Sequence, residues 1–165
     1  MPITTANLKY YKSTATNSLG GAITGTEIID STLHNLFDKV TGAESASGKT
    51  EYRVFYIKNE HGSLTLEDAV VYIVSNTPSA DTVCAIGKIG AVDAVAPTLA
   101  DEEDSGNALS GVTFEEGISD SNSIAIGNIP AGSFQALVIR RTVSSGAVAK
   151  NNDNIVINVR GDTAE

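Results

Sequence analysis

Short β-rich runs separated by turn signals are the feature that most constrains the fold of this 165-residue chain. Runs of apolar and β-branched residues recur between clusters of Gly, Pro, Asn, Asp and Ser, which favour reversals of chain direction. Seven or eight short strands with such spacing are typical of two antiparallel sheets packed face to face. The sequence therefore predicts an all-β, antiparallel β-sandwich, immunoglobulin-like or jelly-roll-like, with an extended N-terminal arm and at most one short helix.

The run EYRVFYIKN, residues 51–59, is the clearest strand of the chain. Both of its faces are largely apolar, which predicts a central strand covered on both sides. Residues 64–76 follow the turn NEHGS and are expected to pair back as a hairpin, with residues 83–90 as the third strand of that group. Other strands are predicted at residues 8–12, 111–116, 123–129, 133–143 and 155–162. Residues 91–110 have weak periodicity and are expected to form a surface loop.

Residues 26–42 are the one helical candidate. Apolar side chains recur there at helical spacing, with Asp30 or Ser31 as a start signal and Gly42 as a stop signal. A short helical turn followed by a strand fits the same pattern, and both interpretations stay open at residues 30–41. The apolar residues in question are Ile29, Leu33, Leu36, Phe37 and Val40. Residues 45–50 are expected to form a loop.

The chain divides into an N-terminal arm or edge segment, residues 1–25, and a single sandwich domain, residues 26–165. The arm carries apolar groups with little to fold against locally, and such arms often become ordered on a partner. An edge strand of the sandwich explains them equally well. The candidate contact residues in this arm are Pro2, Ile3, Leu8, Tyr10 and Tyr11.

The chain carries 11 basic and 20 acidic side chains, a net charge of −9, and this charge argues against a nucleic-acid partner. Phosphate binding needs clustered Lys and Arg, whereas here they are scattered. No apolar run approaches the length of a membrane span, and the N-terminal residues lack the pattern of a signal peptide. We therefore expect synthesis in the cytoplasm and no membrane partner.

Residues that could carry chemistry do not form a recognisable constellation in the sequence. His34 and His61 have no metal-ligating neighbours at the usual spacing, and no Ser lies in a nucleophile elbow. Cys84 lies mid-strand among apolar residues, so an inert thiol is expected. The acidic run Asp101, Glu102, Glu103 and Asp104 lacks the alternation of a calcium loop and is interpreted as solvated. The sequence thus predicts no enzyme, no cofactor and no metal.

Several stretches resemble a group of small virion structural proteins of tailed bacteriophages and prophages. They are NLFDKVTGAESASGKTEYRVFYIKN (residues 35–59), LTLEDAVVYI (residues 64–73), IGNIPAGSFQALVIRRTV and NNDNIVINVRGD. The resemblance covers roughly residues 19–162 and rests on the patterns LF…V…E…G…YR…Y…N and G-x-x-x-A-G…RR-x-V. It implies a β-sandwich component of the capsid surface, neck or tail, and it carries over no catalytic residue.

What the resemblance implies about function is a capsid decoration (cement) protein on the outer face of the virion. Its partners would be the major capsid protein and copies of itself, as a dimer or trimer made in the bacterial cytoplasm. An acidic protein suits the outer shell, since packaged DNA would repel it. The alternatives are a neck, tail or fibre component, or a glycan-binding adhesion module. The absence of Trp argues against the glycan-binding alternative.

Arg140 and Arg141 end an apolar run and are the remaining candidate contacts between subunits. Adjacent side chains of a strand point to opposite faces. If the strand is central, one guanidinium needs a carboxylate partner over the sandwich, and the other is available to a neighbouring subunit. The alternative is a strand end at which both arginines extend into solvent.

Overall fold

Antiparallel strands dominate the computed structural model, which describes residues 2–103, 107–117, 120–151 and 153–163. The described strands are β1 (Leu8–Ser13), β2 (Ile23–Glu27), β3 (Lys49–Asn59), β4 (Leu66–Ser75), β5 (Thr82–Ile89), β6 (Phe114–Glu115), β7 (Ile124–Ile129), β8 (Phe134–Val143) and β9 (Val156–Thr163). They form a large sheet in the order β2-β1-β3-β8-β5-β6 and a small sheet in the order β7-β4-β9. The predicted all-β, antiparallel, sandwich-like fold is therefore confirmed.

The two sheets pack face to face around an inter-sheet core. Side chains alternate along each strand, so one face of β3, β5 and β8 meets the inner face of β4 and β7. Full burial of each large apolar side chain stabilises the fold by about 1.5–3 kcal/mol. The buried members are Phe55, Ile57, Leu66, Ala69, Val71, Ile73, Cys84, Ile86, Ile126, Ile129, Leu137 and Ile139.

The opposite face of the large sheet is also buried, in an outer core. Tyr52, Val54 and Tyr56 of β3 are at most 7% exposed, which confirms the prediction of a strand covered on both sides. The cover comes from the segment after β5, where Ala96 and Leu99 are buried. The prediction that residues 91–110 form a surface loop is therefore wrong, because part of this segment is buried. An apolar sheet face must be covered, and irregular chain covers it here.

The predicted hairpin of residues 51–59 with residues 64–76 is wrong. β3 pairs with β1 and β8, whereas β4 pairs with β7 and β9 in the other sheet. The Asn59 side chain is fully buried and donates to the carbonyls of Leu64 and Ile129, both at 2.9 Å, which fixes the crossing between sheets. β5 shares the large sheet with β3 but pairs with β8 and β6.

Residues 28–41 form turns and bends, so both interpretations of this segment are wrong. Ser31 and His34 adopt positive φ angles of 62° and 55°, which a helix does not contain. Ile29 and Leu33, on the predicted apolar face, are 63% and 74% exposed.

The short α-helix, α1, lies instead at Gly42–Ser47 and overlaps the first part of the loop predicted at residues 45–50. Thr41 and Glu44 form a reciprocal capping box at its start: the Thr41 N–H donates to the Glu44 carboxylate at 2.7 Å. Within the described residues, no helix is long and apolar enough to cross a membrane.

The N-terminal segment belongs to the large sheet. β1, predicted at residues 8–12, lies between β2 and β3, so β2 is the edge strand. Sequence reasoning predicted an extended N-terminal segment but did not predict β2, since the glycines of SLGGAITGTE argued only against a helix interior.

Candidate functional site

Six charged side chains of alternating sign meet where β3 begins, and we call them the ionic cluster. Strand alternation places Lys49, Glu51 and Arg53 on one face of β3. That face continues into the inter-sheet core through Phe55 and Ile57. The full set is Glu44, Lys49, Glu51, Arg53, Glu102 and Arg141.

Glu51 and Arg53 are the buried centre of the ionic cluster, at 2% and 0% exposure. The register of β3 with β8 sets Arg141 opposite Glu51. The Arg141 guanidinium donates two hydrogen bonds to the Glu51 carboxylate, one of them from Nε at 2.7 Å. Arg53 Nη2 lies 3.3 Å from the same carboxylate. One buried carboxylate therefore compensates two guanidinium groups.

Glu102 extends the ionic cluster to the segment after β5. Its carboxylate accepts from Arg53 Nη2 at 2.7 Å and also from Lys49, which in turn pairs with Glu44 of α1. The carbonyl of Glu102 accepts the Tyr52 N–H at 2.7 Å. The cluster thus joins α1, β3, β8 and the cover of the outer core.

Phe37 covers the two arginines of the ionic cluster. Its ring centre lies 5.3 Å from the guanidinium carbon of Arg53 and 4.5 Å from that of Arg141. Arg141 also donates to the carbonyl of Asp38 at 2.8 Å. Cation–π contacts of this kind strengthen when water is excluded, so the cluster fixes the irregular segment 28–41 on the sandwich.

Hydrogen bonds keep the outer members of the ionic cluster charged. The bond from Lys49, with those from Thr41, lowers the pKa of Glu44 to about 2. The bonds from Lys49 and Arg53 lower the pKa of Glu102. Burial opposes the charge of Lys49, but its bonds to Glu102 and Glu44 outweigh this effect and raise its pKa. These three groups are therefore ionised near neutral pH, and their charges hold segments together.

The structure separates the two arginines singled out in the sequence. Arg141 lies in the ionic cluster, as expected for the arginine that needs a carboxylate. Arg140 points to the other face of the large sheet, where it lies 4.9 Å from the Phe114 ring centre and 3.4 Å from Glu116 Oε1. The Arg140 side chain is 30% exposed, against 15% for Arg141. A contact between subunits stays a prediction for both, and Arg140 is the more accessible.

Most of the candidate contact residues of the N-terminal segment pack against the two hydrophobic cores of the same chain. Ile3, Leu8 and Tyr10 pack on the inter-sheet core. Tyr11 packs on the outer core and donates to Glu60 at 2.6 Å. Pro2 is exposed. Their role in contacts between subunits stays a prediction.

The remaining candidates for chemistry are dispersed. Within the described ranges, no three side chains of His, Cys, Asp or Glu are grouped to hold a metal ion. Glu102 of the acidic run joins the ionic cluster, while Asp101 accepts from the Glu103 N–H at 2.9 Å. Asp104 lies outside the described residues. His61 Nδ1 accepts two backbone N–H groups of its own turn.

Cys84 is 3% exposed on β5, and burial raises the pKa of its thiol to about 12. The thiolate is the reactive form of cysteine, so we expect the native protein not to react with a disulfide reagent at pH 8. In denaturant, one thiol per chain should react with the same reagent. Absorbance of the released thiolate measures both. Rapid labelling of the folded protein would contradict the burial of Cys84.

Sequence reasoning missed Lys49, Glu51 and Arg53. It interpreted Glu102 as solvated, which is wrong, because this side chain pairs with Lys49 and Arg53. One signal was available: in EYRVFYIKN, Arg53 shares a face with Phe55 and Ile57 and therefore needs a buried partner.

Comparisons with protein families, with curated proteins and with solved structures found no match for this chain.

Proposed function

We propose that this chain is a structural virion protein of a tailed bacteriophage that decorates the capsid. It would bind the outer face of the major capsid protein lattice and stabilise the head. The observation that carries this proposal is the ionic cluster. Its charged side chains pair with one another and join four parts of the chain, an arrangement suited to a rigid binding protein more than to catalysis.

The charge of the chain supports an outer position. A net charge of −9 disfavours contact with packaged DNA and leaves the outer shell as the compatible surface. The sandwich-like fold agrees with the resemblance to small virion proteins. A decoration protein gains avidity when an oligomer contacts several lattice sites at once, so self-association is part of the proposal.

The decisive experiment counts copies of this chain in purified particles by quantitative gel, with the major capsid protein in the same lane as the standard. We expect a number comparable with that of the shell protein. A small number matching a ring or a set of spikes would instead support a neck, tail or fibre component. Absence of the chain from intact particles would refute the virion proposal.

A further inference from the structure

The edges of the two sheets differ in how well they are protected. An unpaired strand edge presents N–H and C=O groups that can pair with another chain, so most proteins interrupt such edges. β6 has two residues, and β2 pairs with β1 through a register shift. β7 pairs irregularly with β4 and contains Gly127 at a φ of +87°. These three edges are therefore short or interrupted.

β9 is the exception among the described strands. It runs for eight residues, Val156–Thr163, without Pro or Lys and without a positive φ. Its pairing with β4 is irregular at two places, and at each of them the extra residue lies on β4. For example, β4 advances three residues from Glu67 to Val70, whereas β9 advances two residues from Asp162 to Arg160. β9 is thus a long, continuous edge.

The inner face of β9 is incompletely covered. Ile157 and Val159 pack against the inter-sheet core but are only half-buried. Their partners on β4, Ile73 and Val71, are 1% and 0% exposed. A strand placed beside the C-terminal half of β9, where Val159 lies, would add to the burial on this side of the core.

We propose that β9 pairs antiparallel with β9 of a second copy of this chain, which joins the two small sheets across a twofold axis. The charges of β9 are self-complementary. Arg160 and Asp162 are both exposed and flank Gly161. With Gly161 on the axis, residues at equal distances from it face each other, so Arg160 of each copy lies opposite Asp162 of the other and Val159 opposite Thr163. The pairing therefore spans residues 159–163 of each copy.

This register is selected by charge. Opposite charges directly across an antiparallel pair stabilise it, and like charges destabilise it. A twofold axis at Arg160 would set the two arginines against each other. Arg160 also interacts within its own chain, and the pairing adds to that contact. The proposal concerns the free protein and does not depend on the virion role.

The test is sedimentation equilibrium over a concentration series with wild type, Arg160→Asp, Asp162→Arg and an equimolar mixture of the two variants. We expect a wild-type dimer and a Kd raised about tenfold or more in each variant alone. The mixture should dimerise again, because the acidic positions 160 and 162 of the first variant then face the basic positions 162 and 160 of the second. Lys39→Asp, an exposed charge reversal in segment 28–41, is the control and should leave the Kd unchanged.

Circular dichroism verifies the fold of each variant. If a reversal unfolds the chain, Arg160→Gln and Asp162→Asn replace it and should weaken the dimer less. A wild type that remains monomeric at every concentration overturns the proposal. So does a trimer, a dimer with the same Kd in both reversals, or a mixture that fails to recover.

Discussion

Replacing Glu51 with glutamine is expected to lower the free energy of unfolding by about 3 kcal/mol, because removing one partner of a buried ion pair leaves the other charge uncompensated. The Glu51 side chain is 3% exposed and pairs with both Arg53 and Arg141. The amide keeps the size of the side chain but loses its charge. Arg53, with no exposed surface, cannot turn to water.

The neighbouring groups limit how far the ionic cluster can adjust. Phe37 lies over both guanidiniums, and Glu102 is already shared between Arg53 and Lys49. Arg141 can shift toward solvent, since its side chain is 15% exposed, so part of the loss is relieved. The loss in Glu51→Gln should therefore exceed that of any exposed pair without abolishing folding.

Urea unfolding followed by circular dichroism measures the effect. Glu27→Gln is the matched control: it makes the same chemical change in an ion pair with Lys9 at 2.9 Å, but Glu27 is 39% exposed. Exposed pairs contribute about 0–1 kcal/mol, so the control should change little. Equal losses in the two variants would contradict the buried role of Glu51.

A double variant measures the interaction within this ion pair separately from the contacts that each side chain makes with its surroundings. In Glu51→Gln with Arg141→Met, the uncompensated charge of Arg141 is gone. The combined loss should therefore be smaller than the sum of the two single losses. Additive losses would mean that the two side chains act independently, despite the hydrogen bond of 2.7 Å between them.

The strands could be predicted because alternation and turn residues are local signals. β3 also carries apolar residues on both faces, which predicted a strand in the centre of a sheet. Which sheet a strand joins is not local. Turn residues after Asn59 signal a reversal, but the buried Asn59 amide directs the chain to the other sheet, and nothing nearby in sequence identifies Ile129 as its acceptor.

The segment 28–41 shows how periodicity can mislead. Its apolar spacing matches a helix, yet Phe37 is held by Arg53 and Arg141, which are distant in sequence. Contacts with the strands thus override local preference. The true helix had a readable start signal in Thr41 and Glu44, with the spacing of a capping box. Arg53 and Arg141 signalled the need for buried carboxylate partners, but the sequence did not identify Glu102 as one, because it reaches the ionic cluster through tertiary structure.

Gly20 is the position at which a single added methyl group should be most damaging. It adopts a φ of +94°, and a Cβ there would lie 1.9 Å from the carbonyl oxygen of Pro97. The Pro97 oxygen is a backbone atom and the position of a Cβ is fixed by the backbone of residue 20, so no side-chain rotation relieves the contact. The chain here holds the cover of the outer core: the Leu99 N–H donates to the Leu19 carbonyl at 2.8 Å, and the Gly21 N–H donates to the Ala96 carbonyl at 3.2 Å.

Gly20→Ala is therefore expected to lower the free energy of unfolding by about 3 kcal/mol, from backbone strain together with partial loss of the outer cover. Gly132→Ala is the matched control, since Gly132 has a φ of +80° and nothing within 4 Å of an added Cβ. The control measures the strain of positive φ alone, about 1–2 kcal/mol. The difference in unfolding free energy between the two variants measures the effect of the close approach of residue 20 to Pro97. Equal losses would contradict this contact, because they would show that the segments around residue 20 and Pro97 are free to separate.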